Sequence, residues 1–424
     1  MKSKLVKLVR GALPQQATEP LEKTYRRSRV NLLRAAYGNP GRKLRVIAVT
    51  GTNGKTTTCV FINEMLKSAG YKTALFTTAL TEVAGQAQAN LRHTTMPLTA
   101  EILKFFKQAK AAKVDFVIME VTSHGLDQFK LDGTPIEVAV VTNLSQEHLD
   151  YHGTMKNYAA AKARLVSDFH PKHVVLNRDD EWFDFFAKRS SGPVVSFGKN
   201  NSANQQLTEV KATSDGMNFK LNGNNLSINL PGEFNVYNAA AAACVGSVLG
   251  LSSSQIKNGL KALTSVPGRM EAVEAGQNFK VMVDYAVTPA ALEQALRALR
   301  VTTKGRLMLV FGATGDRDKS KRPVMGEVAA KNADKIFLTD DETYTENPEA
   351  IRAAVKQGIV QAGGETKTTE IADRKAAIEA ALKAAKAGDT VLLTGIGHQN
   401  YRNMGGQKVP WDERQIAREL IQNA

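Results

Sequence analysis

Cysteine is nearly missing from this 424-residue chain, which has only Cys59 and Cys244. Two isolated cysteines with no CxxC pair exclude a zinc ribbon, an iron–sulfur site and a disulfide framework, and they fit a reducing cytoplasm. Long hydrophobic runs are missing too. No stretch reaches about 18 uninterrupted apolar residues, and Met1-Lys2-Ser3-Lys4 leads into no long apolar segment, so neither a transmembrane helix nor a signal peptide is expected. There are no internal repeats, and the closest approach to low complexity, 376–387, has ordinary helix composition. Acidic residues are scarce at one end only. Residues 1–44 hold eleven Lys or Arg against Glu19 and Glu22, a local net of +9, so the other 380 residues carry only +6 of the total +15. Such a segment suits an anionic contact, a membrane surface or a phosphorylated substrate, or else a solvated face. Nucleic acid is not expected, because no recognition motif accompanies the charge.

The remaining composition is that of a folded protein. Charged residues make up 23% and hydrophobic ones 43%, enough to bury a proper core. At roughly 150 residues per domain the length predicts two or three domains. Beyond residue 44, short β-branched runs alternate with helical patterns, the signature of an α/β fold with a mostly parallel sheet. Strands are expected at 44–50, 115–121 and 136–142, with helices at 55–69, 155–167 and 235–249. The polar alternation of 204–230 around Asn222-Gly223-Asn224-Asn225 reads as a small hairpin insertion. Val266-Pro267-Gly268 reads as a hinge. A second, smaller α/β unit follows, with strands at 279–283, 307–311, 335–339 and 390–394. The expected organisation is a basic segment 1–44, a central unit 45–266 and a C-terminal unit 267–424.

Gly51-Thr52-Asn53-Gly54-Lys55-Thr56, followed by Thr57, sits between a strand and a helix, where backbone N–H groups and a helix N-terminus cradle a triphosphate. In that role Lys55 neutralises the β- and γ-phosphates and the Thr56 hydroxyl meets magnesium. The Walker pattern asks for glycine at position 49, which is Val, but placement and Gly-Lys-Thr favour phosphate binding over a plain strand-to-helix turn. Glu120 closes an apolar run at a strand's C-terminal end, where open sheets bind ligands, so it is a magnesium ligand or a solvent-facing charge. His148 lies in another strand-exit loop, and Lys162 read alone is a solvated helix lysine.

Seven stretches follow one another in a familiar order. They are 50–58, 120–128, Thr142-Asn143-Leu144 with 148–153, 158–164, 232–238, Pro267-Gly268-Arg269-Met270-Glu271 and 316–323. This order resembles the Mur ligases, most closely the muramyl-tripeptide synthetases, from about residue 44 to the C-terminus. The resemblance implies a central P-loop ATPase domain with a mostly parallel sheet and a smaller Rossmann-like C-terminal domain. The implied enzyme is an ATP-dependent acid–amino-acid ligase that adds an amino acid to a muramyl-peptide-like acceptor through an acyl phosphate, acting as a monomer. Its magnesium ions, two in number, fall on Thr56, Glu120, His148 and Lys162, the last as a carbamate formed with carbon dioxide. Asn238 matches the adenine contact, and Arg269 and Asp284 match residues that close onto phosphates and ribose. Thr94, Thr95, Ser123 and Gln128 match the acceptor region.

Three features depart from that pattern. Only about 44 residues precede the first strand, where the family keeps a uridine-diphosphate-binding domain. In the amino-acid pocket, where Asp-Asn-Pro-Arg is usual, the chain reads Asp341-Glu342-Thr343-Tyr344, and Gln399 in the run from Gly395 replaces a Glu. Val287 stands where His is usual, while Arg317 remains to hold an α-carboxylate. Alternatives are a folylpolyglutamate-synthase-like or cyanophycin-synthetase-like ligase, and a non-catalytic Mur-like nucleotide-binding partner.

Overall fold

The computed structural model describes residues 15–90, 94–214 and 216–423. Its frame is an eleven-stranded sheet. The strands are β1 (Val46–Thr50), β2 (Thr73–Phe76), β3 (Leu80–Val83), β4 (Gln86–Ala89), β5 (Phe116–Glu120), β6 (Ile136–Val141), β7 (His173–Asn177), β8 (Val194–Gly198), β9 (Gln205–Ala212), β10 (Met217–Leu221) and β11 (Asn224–Ile228). Their spatial order is β11-β10-β9-β8-β7-β6-β1-β5-β2-β3-β4. The strands from β2 to β8 across β1 pair in parallel. In β1, β5 and β6 every residue is buried, which is why they read as continuous apolar runs rather than alternations. Helices cover both faces. Lys55–Ser68 and Glu233–Val248 pack on one side, and Thr99–Ala111 and Met155–Ser167 on the other. The alanine run Ala239–Ala243 is wholly buried, letting its helix lie close against Lys55–Ser68.

Residues 204–230 correct one expectation. They form no separate hairpin insertion, since β9 pairs in parallel with β8 and the β9-β10-β11 meander prolongs the main sheet. The Asn222-Gly223 turn between β10 and β11 is where the sequence placed it, with both residues at positive φ.

A second sheet follows, in the order β12 (Glu271–Ala272), β13 (Lys280–Asp284), β17 (Thr390–Thr394), β14 (Leu307–Phe311), β15 (Lys335–Leu338), β16 (Thr368–Glu370), parallel except at β12. The hairpin β18 (Tyr401–Met404) and β19 (Gln407–Pro410) stands beside it. Buried Arg374 and Glu413, both fully enclosed, tie the last helix to this lobe.

The basic segment contains the helix Gln15–Ala36, docked on the larger lobe. Its cations are used inside the molecule. Arg26 lies 3.6 Å from Asp127 and Arg27 3.0 Å from Asp132, while Arg34 donates to Gly133 O at 3.3 Å. Of Arg26, Arg27 and Arg29, which were expected to face an anionic surface with the rest of the segment, Arg27 and Arg29 still present most of their side chains to solvent, and Leu32 is exposed. Lys2, Lys4, Lys7 and Arg10 lie outside the described residues. Among the described residues no helix is long and apolar enough to cross a membrane.

Candidate active site

In the large sheet β1 sits between β5 and β6, and the register sets Val49 beside Glu120 and Thr50 beside Val141, so three strand ends finish level at one edge. From Thr50 the chain turns into the helix Lys55–Ser68. Gly54 makes the turn with φ +81°, and a Cβ there would lie 2.2 Å from Asn238 Oδ1, so no side chain fits. The first N–H groups of the helix are thereby left open to an anion. Lys55 folds back to donate to Thr52 O at 2.8 Å, with Glu120 Oε1 at 4.0 Å. The loop after β6 braces this turn. Asn143 Oδ1 accepts from Asn53 N at 2.9 Å, the Thr142 hydroxyl donates to Asn53 O at 2.7 Å, and Ser145 N donates to Thr52 Oγ1 at 3.0 Å.

Glu120 is buried at the centre. Its Oε2 accepts from Thr56 Oγ1 at 2.8 Å and from both the N–H and the hydroxyl of Thr78 at 2.9 Å. His148, with φ 56°, meets His124 edge to face at 4.8 Å. Burial first, then the neighbouring His124, Lys162 and Lys55, lower its pKa to about 2, so the imidazole is neutral and keeps a lone pair for a ligand. Lys162 is no solvated lysine. It is 2% exposed and donates to Gly51 O at 2.7 Å. Burial, reinforced by the Lys55 charge, drives its pKa well below the usual lysine range, which favours the free amine. Among the described residues no three His, Cys, Asp or Glu gather into a closed metal cage. A hydroxyl, one carboxylate and one neutral imidazole beside a phosphate-sized opening instead fit magnesium, which takes few protein ligands and completes its shell with phosphate and water.

A cleft of about 830 Å³ opens between the lobes, lined by Asn53, Thr57, Asn238, Arg269 and Asp284 among others. Asn238 is held by Thr58 Oγ1 at 3.3 Å and by its own bond to Asn235 at 3.1 Å. Arg269, on the turn leading into β12, reaches Thr56 Oγ1 at 3.4 Å and lies 4.6 Å over the Tyr285 ring, and its Nε has no hydrogen-bond partner. Asp284 ends β13. Burial raises its pKa to about 6 against the pull of Arg269.

The remaining expected residues fall on two flanks. On one, the Ser123 hydroxyl meets His152 Nε2 at 3.0 Å, Gln128 bonds Tyr151, and Thr95 Oγ1 meets Thr78 Oγ1 at 2.7 Å. Thr94 is not drawn in: it stays exposed, and its carbonyl accepts from Asn90 at 3.4 Å. On the other flank, the C-terminal ends of β14, β15 and β17 bring Arg317, Asp341, Tyr344, Gly395 and Gln399 together. The Arg317 guanidinium lies 5.0 Å over the Tyr344 ring. Gly395, with φ +110°, packs so closely that a Cβ would lie 2.0 Å from Asp341 Oδ2. Gln399 donates to Glu342 Oε2 at 3.4 Å, and Asn403 holds Glu342 Oε1 through its amide at 2.6 Å.

Sequence reasoning missed Thr78, Asn143, Glu147, Lys321 and Asn403. Asn143 and Lys321 lie inside recognised motifs without having been given a role, and Glu147 lies between two of them, a signal that was available. Thr78 and Asn403 lie in segments without any pattern.

Two family models match this chain, the Mur ligase middle domain over residues 49–246 and the Mur ligase glutamate ligase domain over residues 268–397. The chain belongs to the Mur ligase family. It is 40% identical over 403 residues to a UDP-N-acetylmuramoyl-L-alanyl-D-glutamate–2,6-diaminopimelate ligase of Syntrophomonas wolfei, covering 93% of this chain and 82% of that one. Identity is also 40%, over 396 residues, with the corresponding ligase 1 of Clostridium acetobutylicum, at 91% and 80% coverage. A solved diaminopimelate ligase of the same description superposes with a TM-score of 0.62 at 35% identity, covering 90% of this chain and 78% of that one. A folylpolyglutamate synthase of Mycobacterium tuberculosis superposes at 0.70 with 21% identity, covering 87% and 92%, a likeness of fold alone. The level strand ends of β1, β5 and β6 thus lie within this Mur ligase's middle domain, and Arg317, Asp341 and Tyr344 within its glutamate ligase domain.

Proposed function

We propose that this Mur ligase is an ATP-dependent acid–amino-acid ligase that extends a muramyl-peptide acceptor by one amino acid, as an early step of peptidoglycan synthesis. The carrying observation is the convergence of Lys55, Thr56, Glu120, His148 and Lys162 at one sheet edge, with Arg269 entering from across the cleft. In this reading Gly51 to Thr57 hold the triphosphate, Asn238 the adenine and Asp284 the ribose. Thr95, Ser123 and Gln128 face the acceptor, with Thr94 at the rim. Thr56, Glu120, His148 and carbamylated Lys162 would hold up to two magnesium ions, which when bound supply charge neutralisation to the transferring phosphoryl group.

Amide formation from a free carboxylate is unfavourable in water, so the carboxylate first takes the γ-phosphoryl group, and the incoming amine then displaces phosphate. The first step brings two anions together. Lys55 and Arg269, one from each side of the cleft, hold and shield that charge, and a low-dielectric setting strengthens both. Lys162 as a free amine is the form that combines with carbon dioxide, and its bond to Gly51 O orients it toward the phosphate loop. Arg317 would hold the amino acid's α-carboxylate. Residues 266–268 would act as the hinge between units 45–266 and 267–424, and the enzyme would work as a cytoplasmic monomer. Peripheral contact with anionic membrane would rest on residues 1–44, within which Arg26 and Arg27 also pair with Asp127 and Asp132.

The test uses an acceptor whose reactive carboxylate carries oxygen-18. Transfer of one labelled oxygen into released phosphate is expected. Unlabelled phosphate alongside formed amide would refute the acyl-phosphate step.

A further inference from the structure

The loop after β6 touches both lobes. Asn143 and Ser145 fasten it to the phosphate loop, and its last residue is His148. Between these, two consecutive side chains reach across the cleft. Gln146 hydrogen-bonds Asp318, and Glu147 Oε1 accepts from Lys321 Nζ at 3.4 Å. The Glu147–Lys321 pair is almost enclosed, at 11% and 8% exposed. Glu147 Oε2 is buried with no hydrogen-bond partner.

Lys321 begins the helix Lys321–Asn332, four residues after Arg317. The segment between them has little freedom, because Arg322 grips Glu346 at 2.8 and 3.0 Å and Asp316 N donates to the same carboxylate at 2.6 Å. Whatever fixes Lys321 therefore fixes Arg317. Exposed ion pairs are worth little, but an enclosed pair that loses one member leaves a bare charge behind. Opening the cleft is one way to relieve it. Glu147 also bears electrostatically on Lys55 and Lys162, and Lys321 on His148, so the two charges complement the site only when the lobes meet.

We propose that Glu147 and Lys321 are a positioning pair that locks the segment bearing Arg317 onto the loop bearing His148, aligning the amino acid with the phosphate site in the closed enzyme. The inference rests on the reading of Arg317 as the amino-acid contact. Neither member touches substrate. Their effect passes through Arg317 on one side and His148 on the other.

The test is a double-mutant cycle of Glu147→Gln, Lys321→Met and both together in the full chain, with thermal melts as the control for folding. Phosphate release is followed against amino-acid concentration at saturating ATP and acceptor. Each single change is expected to raise the amino-acid KM about tenfold or more while nucleotide Kd, read with a fluorescent ATP analogue, moves less than about threefold; the double variant should be no worse than the worse single. A second readout is the distance between the lobes. Both native cysteines are buried, so dyes placed at Ser254→Cys and Thr366→Cys label selectively. With ATP and magnesium the single variants should populate a longer separation than the parent. Losses that multiply in the double variant, or a parental KM and separation in the singles, would overturn the pairing. If the parent ligates no acceptor at all, the proposed function fails, and the dye separation alone still decides the clasp.

Discussion

Lys55 and Lys162 carry the same side chain and meet opposite demands. Burial lowers the pKa of Lys55 too, but Glu120 and Glu147 pull the other way, and its ammonium donates to the Thr52 carbonyl. Lys162 is enclosed beside that cation and is pushed toward the neutral amine. Lys55→Ala should reduce phosphate release at least about 100-fold, since a charge-stabilising donor is removed where charge develops. Lys162→Ala should lose as much, yet recover partly with acetate or formate, which can occupy the place of a carbamate. Lys162→Arg keeps the charge, cannot form a carbamate, and should stay inactive. Full activity of the Ala variant, or rescue of the Arg variant by the same acids, would contradict the carbamate. Lys55 was legible from sequence because phosphate binding has a local pattern of glycines. Lys162 was legible only by resemblance, because its hydrogen-bond partner, the Gly51 carbonyl, is 111 residues away.

At the scale of elements, the proposed choice of amino acid rests on the loop Asp341–Tyr344. Glu342 is an enclosed carboxylate held by Asn403 and Gln399, and its charge helps raise the pKa of Tyr344 and Tyr285 behind burial as the first cause. A second substrate carboxylate in that place would meet a fixed like charge, whereas an ammonium or a neutral end would not. Lysine or ornithine should therefore be used with kcat/KM at least about tenfold above meso-diaminopimelate, and Tyr344→Arg should narrow the gap. A preference for meso-diaminopimelate that Tyr344→Arg leaves unchanged would contradict this. The parallel strands β1, β5, β6 and β14 were readable as apolar runs buried on both faces. The exposed strand β4, Gln-Ala-Gln-Ala, offers no such signal, and β9 was misassigned because its polar face looks like an insertion until β8 is placed beside it.

For the whole molecule, the three clustered histidines set a pH dependence. His148 and His152 are lowered to about 2 and about 4, burial being the first cause in each and His124 the next, and His124 is itself lowered by burial. Below an unfolded value near 6.5 the unfolded chain binds protons that the folded chain refuses, so stability falls as pH falls from about 7. His148 and His152 each cost up to roughly 1.4 kcal/mol per pH unit between that value and their folded-state one. Asp284, raised to about 6, acts in the other direction, losing stability as pH rises from about 4 to 6. The informative quantity is thus the difference between parent and His148→Asn. Urea unfolding at pH 5.0, 6.0 and 7.5 should show a shallower acid loss in the variant by about one proton, and equal slopes would contradict a neutral His148.

The two-lobe architecture followed from the repeated strand–helix alternation, but the meeting of the lobes did not. Glu147 and Lys321 are 174 residues apart, and nothing local in either segment announces the other. The central claim is the coupling of ATP consumption to amide formation. With magnesium and ATP, phosphate should be released only when a muramyl-peptide acceptor and an amino acid are both present, one phosphate per amide formed. Phosphate release that ignores the acceptor, or amide formed without ATP consumption, would contradict it.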